Sequence, residues 1–358
     1  MLTIKKYLIL IVCAVLMFTV ISSGCTQQAS KGQENTGATT ITFTDSNGNN
    51  VVLPKTAERI VSTNADCTEM LIAIGAADRI VGVTDTVAKT PILMAQLPKN
   101  VSNIGNWQTP NIEMMTTLKP DVVICYGGAS KPKNIDQILA ANLTLVYLDC
   151  YKMNTLSHDA RALGIITGNT KKAEDYAGFI EKYQNMVTSN TSKLSAGEKP
   201  AVYWESYSDY STVGNTSGGD TMIGMSGGVN IASYNASLYA SAYPKVNSEW
   251  IIKNNPSYIF KMVTSTNITS LDDLKKVQSA IKSRPGMDKT NAVKNDSVYI
   301  MSGSIAFGPR AVIGMLYVAK VLHPDLYKGV DPQAVLSEYS EKYLPGSDKG
   351  YFIYPTPA

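Results

Sequence analysis

Histidine is nearly absent from this chain, with two residues in 358, His158 and His323. That scarcity weighs against acid–base catalysis and against a bare transition-metal site, both of which lean on imidazole. Cysteine is sparse too. Five occur, at positions 13, 25, 67, 125 and 150, with no C-x-x-C pair and no zinc or iron–sulfur spacing. No Ser/His/Asp arrangement and no Gly-rich phosphate loop is visible, so nothing supports an enzyme. Net charge is small: without Lys5 and Lys6 the formal +3 falls to about +1, which gives no reason to expect a nucleic-acid partner. Beyond the N-terminal segment no apolar run is long enough to span a bilayer.

What is present begins with that segment. Lys5 and Lys6 precede an apolar run from Tyr7 to Ile21, about fifteen residues, which suits a signal h-region and is short for a membrane span. The run ends at Ser22-Ser23-Gly24-Cys25, small residues leading into a cysteine as in lipoprotein signals, with Ser22 where such a box usually carries leucine. Residues 1–25 therefore read as a signal with Cys25 as the lipidated residue. The other reading is a retained anchor helix. Both place the body on the extracytoplasmic face of the membrane. Residues 26–40, rich in Gln, Ser, Gly, Asn and Thr, read as a flexible tether.

About 330 residues remain, enough for two domains. Ile41 to Leu53 alternates around Asn47-Gly48-Asn49, a hairpin signal. Strand-like runs at Arg59–Ser62, Ile80–Val83, Val122–Ile124 and Leu143–Leu148 alternate with helical spacing at Ala65–Ile74, Asn111–Leu118 and Ile135–Ala141. Continuous apolar strands between helices predict a parallel sheet covered on both faces. Residues 156–195 are helical in character throughout, with a break near Gly168-Asn169. The strand–helix pattern then restarts, with strands at Ala201–Trp204, Tyr258–Phe260 and Val298–Met301. Helices are expected from Thr221, over Pro309–Leu322, and from Pro332 to Tyr343 with Asp331 as N-cap. The fold class is α/β: two lobes, 41–155 and 196–358, joined by the helix of 156–195.

Cys67, Cys125 and Cys150 read as buried small hydrophobes, and a Cys125–Cys150 disulfide stays open because both close strands. Asn-x-Ser/Thr sequons stand at Asn100, Asn142, Asn190, Asn215, Asn235, Asn267 and Asn295, a number that this Asn-, Ser- and Thr-rich composition produces largely by chance. Tyrosine is abundant at 20 residues, and a large rigid ring with a polar tip suits a binding cleft.

Three phrases carry a resemblance. They are RIVSTNADCTEML (Arg59–Leu71) running on to Gly75–Thr84, GNWQTPNIE (Gly105–Glu113) with Leu118–Ile124, and Gly308-Pro309-Arg310 leading to Leu322–Asp325. Together they resemble the substrate-binding proteins of ATP-driven importers for iron–siderophore complexes, haem and cobalamin, over about Ile41 to Tyr343. The resemblance implies two lobes on a rigid connecting helix, a ligand held between them, and one exposed acid per lobe docking on the permease. Glu113 and Glu249 match those two acids, and each also sits where a helix dipole favours a carboxylate. It further implies a permease with ATPase subunits as partner, a monomeric carrier, no resident cofactor or metal, and Gly227-Gly228 as a tight turn.

Residues just after strand ends are the candidates for the cleft: Asn64, Trp107, Tyr126 and Tyr151 in the first lobe, Trp204, Tyr207 and Arg310 in the second. Trp107 lies in a phrase similar to one in cobalamin-binding members, where the indole packs on ligand. Arg310 could pair an anionic chelate or pair within the protein. An aromatic cleft with few cations suits a bulky, weakly charged chelate. An iron chelate leads, a corrinoid follows, and haem remains within the class. His158 and His323 are expected on helices away from the cleft.

Overall fold

The computed structural model describes residues 40–215 and 217–357. The signal, Cys25 and the tether up to residue 39 lie outside the described residues. Strands Ile41–Thr44 (β1) and Asn50–Leu53 (β2) form an antiparallel hairpin with Ile41 opposite Leu53. Its turn uses Gly48 at a φ of 81°, a conformation that glycine adopts without strain.

The first lobe follows. Strands β3 (Ile60–Ser62), β4 (Ile80–Val83), β5 (Ser102–Asn103), β6 (Val122–Cys125) and β7 (Leu145–Tyr147) form a parallel sheet in the order β5-β4-β3-β6-β7. β3 and β6 are buried along their whole length, which is why β6 is an uninterrupted apolar run and why the one polar residue of β3, Ser62, takes a hydrogen bond from the Thr68 hydroxyl at 2.9 Å. The chain adds β4 and β5 on one side of β3, then returns to lay β6 on the other. Ligands of open α/β sheets bind at such a reversal, beyond the carboxyl ends of the strands. The helix Ala65–Ala73 leaves β3 at this point, and Asn64 Oδ1 accepts the Cys67 N–H at 2.6 Å to cap it.

The second lobe repeats the layout. Strands β8 (Ala201–Glu205), β9 (Val229–Asn230), β10 (Tyr258–Val263), β11 (Val298–Ser302) and β12 (Ile353–Tyr354) run in the order β12-β11-β10-β8-β9. All are parallel except β12, which pairs antiparallel with β11. Here the reversal falls between β8 and β10. Trp204, Phe260 and Tyr299 are cross-strand neighbours whose rings stack in series, with centroids 5.6 Å and 5.4 Å apart, a ladder that fixes register across three strands. Gly227 turns with a φ of 82° just before β9, as the glycine pair implied.

The segment 156–195 is two helices. Leu156–Thr167 stops at Gly168, which takes a left-handed φ of 72°, and Thr170–Thr191 begins anew. The two fold back on each other, and a β-carbon on Gly164 would collide with Ala173 Cβ. Arg161 straps the pair, with Nε 2.7 Å from Glu174 and Nη1 2.5 Å from Glu181. The second helix runs on against the helix Ala311–Leu322 of the second lobe. At 1.5 Å per residue its 22 residues span about 33 Å. The joining element is therefore Thr170–Thr191, because the glycine break stops the preceding helix on the first lobe.

One hydrophobic cluster runs through all three parts. It includes Leu71 and Ile124 of the first lobe, Tyr176 and Ile180 of the long helix, and Phe260 and Leu316 of the second lobe. Cys67, Cys125 and Cys150 are buried and free, so the Cys125–Cys150 bridge is not formed. No helix among the described residues is long and apolar enough to cross a membrane.

Candidate functional site

A cavity of about 320 Å³ lies between the lobes where the two sheets point their carboxyl ends at each other. The loops after β5, β6 and β7 bring Trp107, Tyr126 and Tyr151 to one wall. Their rings meet edge to face, Trp107 on Tyr126 at 5.6 Å and Tyr126 on Tyr151 at 5.4 Å, an arrangement that aligns positive ring edges with negative faces. The opposite wall holds Trp204, Tyr243, Met262 and Phe307. Trp204 is buried and forms a fixed floor. Gly219 lets the helix Gly218–Met225 approach it, since a β-carbon there would stand 2.7 Å from Val213 Cγ1 and 3.2 Å from the indole.

One carboxylate enters this aromatic box. Asp66, in the first turn of the helix after β3, accepts a 2.6 Å hydrogen bond at Oδ2 from the Tyr126 hydroxyl. Burial pushes its carboxyl up to about 7, against the stabilising Tyr126 hydrogen bond and helped by the negative charge of Glu69. Burial and the facing Asp66 likewise hold the Tyr126 hydroxyl well above its ordinary range, so it stays a donor.

The second-lobe rim is pinned from beneath. Glu205, at the buried end of β8, receives Arg284 Nη1 at 2.7 Å and Nη2 at 2.9 Å, the Tyr203 hydroxyl at 2.9 Å and the Tyr210 N–H at 2.9 Å. Lys261 Nζ sits 3.0 Å from the same carboxylate and donates to the carbonyls of Ser206 and Tyr207 at 2.8 Å and 3.0 Å. This buried charge cluster fixes the loop that presents Ser206 to the cavity, while Tyr207 beside it is exposed, lies outside the cavity lining and packs edge-on against Phe307 at 5.9 Å.

Besides Tyr207, two sequence candidates are placed away from the lining. Asn64 is buried and spends its side chain as the helix cap, so it does not line the cavity. Arg310 also stays out of it. Its Nε and Nη2 hold Glu69 at 2.9 Å and 3.2 Å, a tie from the second lobe to the first. Glu69 Oε1 also accepts from Tyr339 at 2.9 Å, whose hydroxyl lies 3.1 Å from that of Tyr176 on the long helix. Arg310 and Glu69 stand 241 positions apart in sequence, and no local pattern joins them. The residues that sequence reasoning missed are chiefly Asp66, Tyr243 and Phe307. Asp66 stands in a helix first turn, where an acid has an ordinary local explanation, Phe307 lies directly before the Gly308 phrase, and Tyr243 falls in a loop with no periodicity.

Glu113 and Glu249 are exposed in the first turns of the helices Ile112–Thr117 and Ser248–Asn254. Asn111 and Asn247 cap those helices, each accepting a backbone N–H at 2.9 Å. Among the described residues neither glutamate enters an ion pair. His158 lies beside Asp159 on Leu156–Thr167, and His323 Nε2 is 3.0 Å from the Gly227 carbonyl, both off the cavity. No group of three or more His, Cys, Asp or Glu among the described residues is arranged to hold a metal ion. A larger open groove of about 610 Å³ follows the long helix between Lys171 and Lys342, but its walls are charged, solvent-facing side chains such as Glu174 and Lys182. The enclosed aromatic cavity is the better site for a ligand.

Comparison with known proteins agrees with this geometry. The periplasmic binding protein family matches residues 60–304. The uncharacterized ABC transporter substrate-binding lipoprotein YvrC of Bacillus subtilis (strain 168) is 26% identical over 326 residues, covering 88% of this chain and 97% of that protein. A vitamin B12-binding protein of Vibrio cholerae is 24% identical over 252 residues, 70% of this chain and 82% of its own. Among solved structures, the TroA-like periplasmic binding protein FepB of Veillonella parvula superposes with a TM-score of 0.72 at 23% identity, over 87% of this chain and 99% of that one. With the matched segment spanning more than half of the chain and two lobes meeting over a cavity, the chain belongs to the periplasmic binding protein family.

Proposed function

We propose that this protein is the solute-binding component of an ABC importer. It works on the extracytoplasmic face of the cell membrane, captures a bulky metal chelate between its lobes and presents it to a permease driven by ATPase subunits. The observation that carries the reading is the aromatic cavity enclosed by both lobes at their strand reversals. Its ring-lined walls suit a large ligand of low charge, a ferric siderophore complex or a corrinoid like the vitamin named in the Vibrio relative. The chain acts by binding and release, without catalysis. In this reading Cys25 carries the lipid that holds the carrier near its permease, as the lipoprotein relative's name supports, and tethering raises the local concentration for delivery.

Glu113 and Glu249 are assigned to docking. They are exposed, one per lobe, and stand at helix starts where their charge is favoured. Paired rim charges set orientation and encounter rate more than affinity. The test uses the tether-free body purified from its own host, with native mass spectrometry and visible absorbance to identify a ferric chelate, corrinoid or haem. Uptake is then measured in cells carrying Glu113→Ala with Glu249→Ala. The expected result is saturable chelate binding unchanged within about twofold and uptake reduced roughly tenfold or more. A body that binds no chelate, together with normal uptake in the double variant, would remove the transport reading.

A further inference from the structure

We infer that Asp66 makes the cleft selective for chelates of zero or positive charge and turns polyanionic chelates away. The inference rests on the proposed function, since it concerns the same cavity. Among the described residues that line the cavity, Asp66 is the one carboxylate, and no lysine, arginine or histidine joins it. The nearby cations are already engaged. Arg310 is bound to Glu69, Lys152 lies 2.6 Å from Asp149, and Lys261 is held by Glu205. The cavity therefore carries an uncompensated acid in aromatic surroundings, where a charge acts more strongly than in water.

Asp66 is also fixed at the seam of the two lobes. Tyr126 holds Oδ2, and Oδ1 lies against Gly308 of the second lobe, where a β-carbon would fall 2.6 Å away. Gly308 adopts a φ of 80°, so the position is doubly suited to glycine. A chelate bridging both walls must pass this carboxylate. The charged and titratable groups around it are Tyr126 from the loop after β6, Glu69 on its own helix, Asp149, Cys150 and Tyr151 after β7, and Arg310 and Tyr207 from the second lobe. Specificity here comes from repulsion as much as attraction.

The test compares a neutral, a monocationic and a trianionic ferric chelate: a trihydroxamate without a charged tail, one with a free ammonium tail, and a tricatecholate. Aquacyanocobinamide and cyanocobalamin extend the monocationic and neutral arms to corrinoids. Affinities are read by tryptophan quenching at pH 8 for the intact mature protein and for Asp66→Asn, which can still accept the Tyr126 hydrogen bond. The expected result is that Asp66→Asn weakens the monocations roughly tenfold, leaves the neutral ligands within about twofold and strengthens the trianion. A second arm needs no variant. Between pH 5.5 and 8.5, monocation affinity of the wild-type protein should rise through about pH 7 while neutral-ligand affinity stays level. Equal effects of Asp66→Asn on ligands of every charge, or level monocation affinity across that range, would overturn the inference while leaving the transport reading intact. Failure of the wild-type protein to bind any of the probes would remove both.

Discussion

Arg310→Met is expected to lower the free energy of unfolding by about 3–5 kcal/mol, because it leaves a buried carboxylate without its partner. Glu69 and Arg310 have side chains only 6% and 12% exposed, so solvent does little to screen the loss. Glu69 would keep a single hydroxyl donor, Tyr339, in place of a two-pronged guanidinium. The measurement is the urea midpoint at pH 7, with the slope checked for constancy. Combining Arg310→Met with Glu69→Met should recover most of the deficit, since a well-packed apolar pair can replace a buried ion pair at little net cost. A single variant within about 1 kcal/mol of wild type would place the pair in the class of solvent-screened surface bridges.

Glu205→Gln is expected to cost about 3 kcal/mol for the mirror-image reason: it leaves Lys261 and Arg284 buried against a neutral amide, with only the solvent-exposed Asp209 carboxylate as a remaining charge partner. The pH dependence separates it from the first prediction. Burial alone would raise the Glu205 carboxyl, but the Arg284 hydrogen bonds and the charges of Lys261 and Arg284 overcome that and hold it below the ordinary value of 4.5. A carboxylate lowered on folding contributes its full stability above 4.5 and loses it as pH falls through the folded value. Wild-type unfolding free energy should therefore drop faster than that of Glu205→Gln as the solution is acidified below about pH 4.5, and the two curves should converge. Parallel curves would show that Glu205 is not the group being titrated. Loosening of the Ser206–Asp209 loop should accompany the variant, visible as faster amide exchange at Tyr210, whose N–H loses its carboxylate acceptor.

Most of this architecture could be read from local signals. Asp331 caps the helix its place before Pro332 predicts, and Asn111, the first residue of its helical segment, caps that one, because the capping hydrogen bond depends on a few neighbouring residues. The buried strands β3, β6 and β8 are legible from the apolar residues that make up all of β6 and all but the last position of β3 and β8. Two-residue strands did not: β5, β9 and β12 are too short to show a period, and only their neighbours in the sheets define them. The helix Leu271–Lys282 is the local signal missing from the sequence reading, since Ser270 and Asp273 form a capping box at its start. The site divides in the same way. Tyr126, Tyr151 and Trp204 follow from their places at strand ends, and Trp107 from the phrase that carries the resemblance. Asn64 and Arg310 also stand at strand or helix ends, yet the fold uses both inward, one as a cap and one as a tie between lobes. Deciding between those uses requires knowing what lies opposite, and for Arg310 that is a residue from the other end of the chain.

The hydrophobic cluster that runs from Leu71 through Tyr176 to Leu316 bears on how the molecule comes apart. Two lobes joined by a flexible linker would melt independently, each with its own midpoint. Here the cluster that contains the long helix is shared by both lobes, so loosening either lobe strips buried surface from the other. Calorimetry should give one cooperative transition whose van't Hoff and calorimetric enthalpies agree. The carrier then has no half-melted form in which an intact lobe still offers one wall of the cavity: capacity to bind and global integrity are lost together.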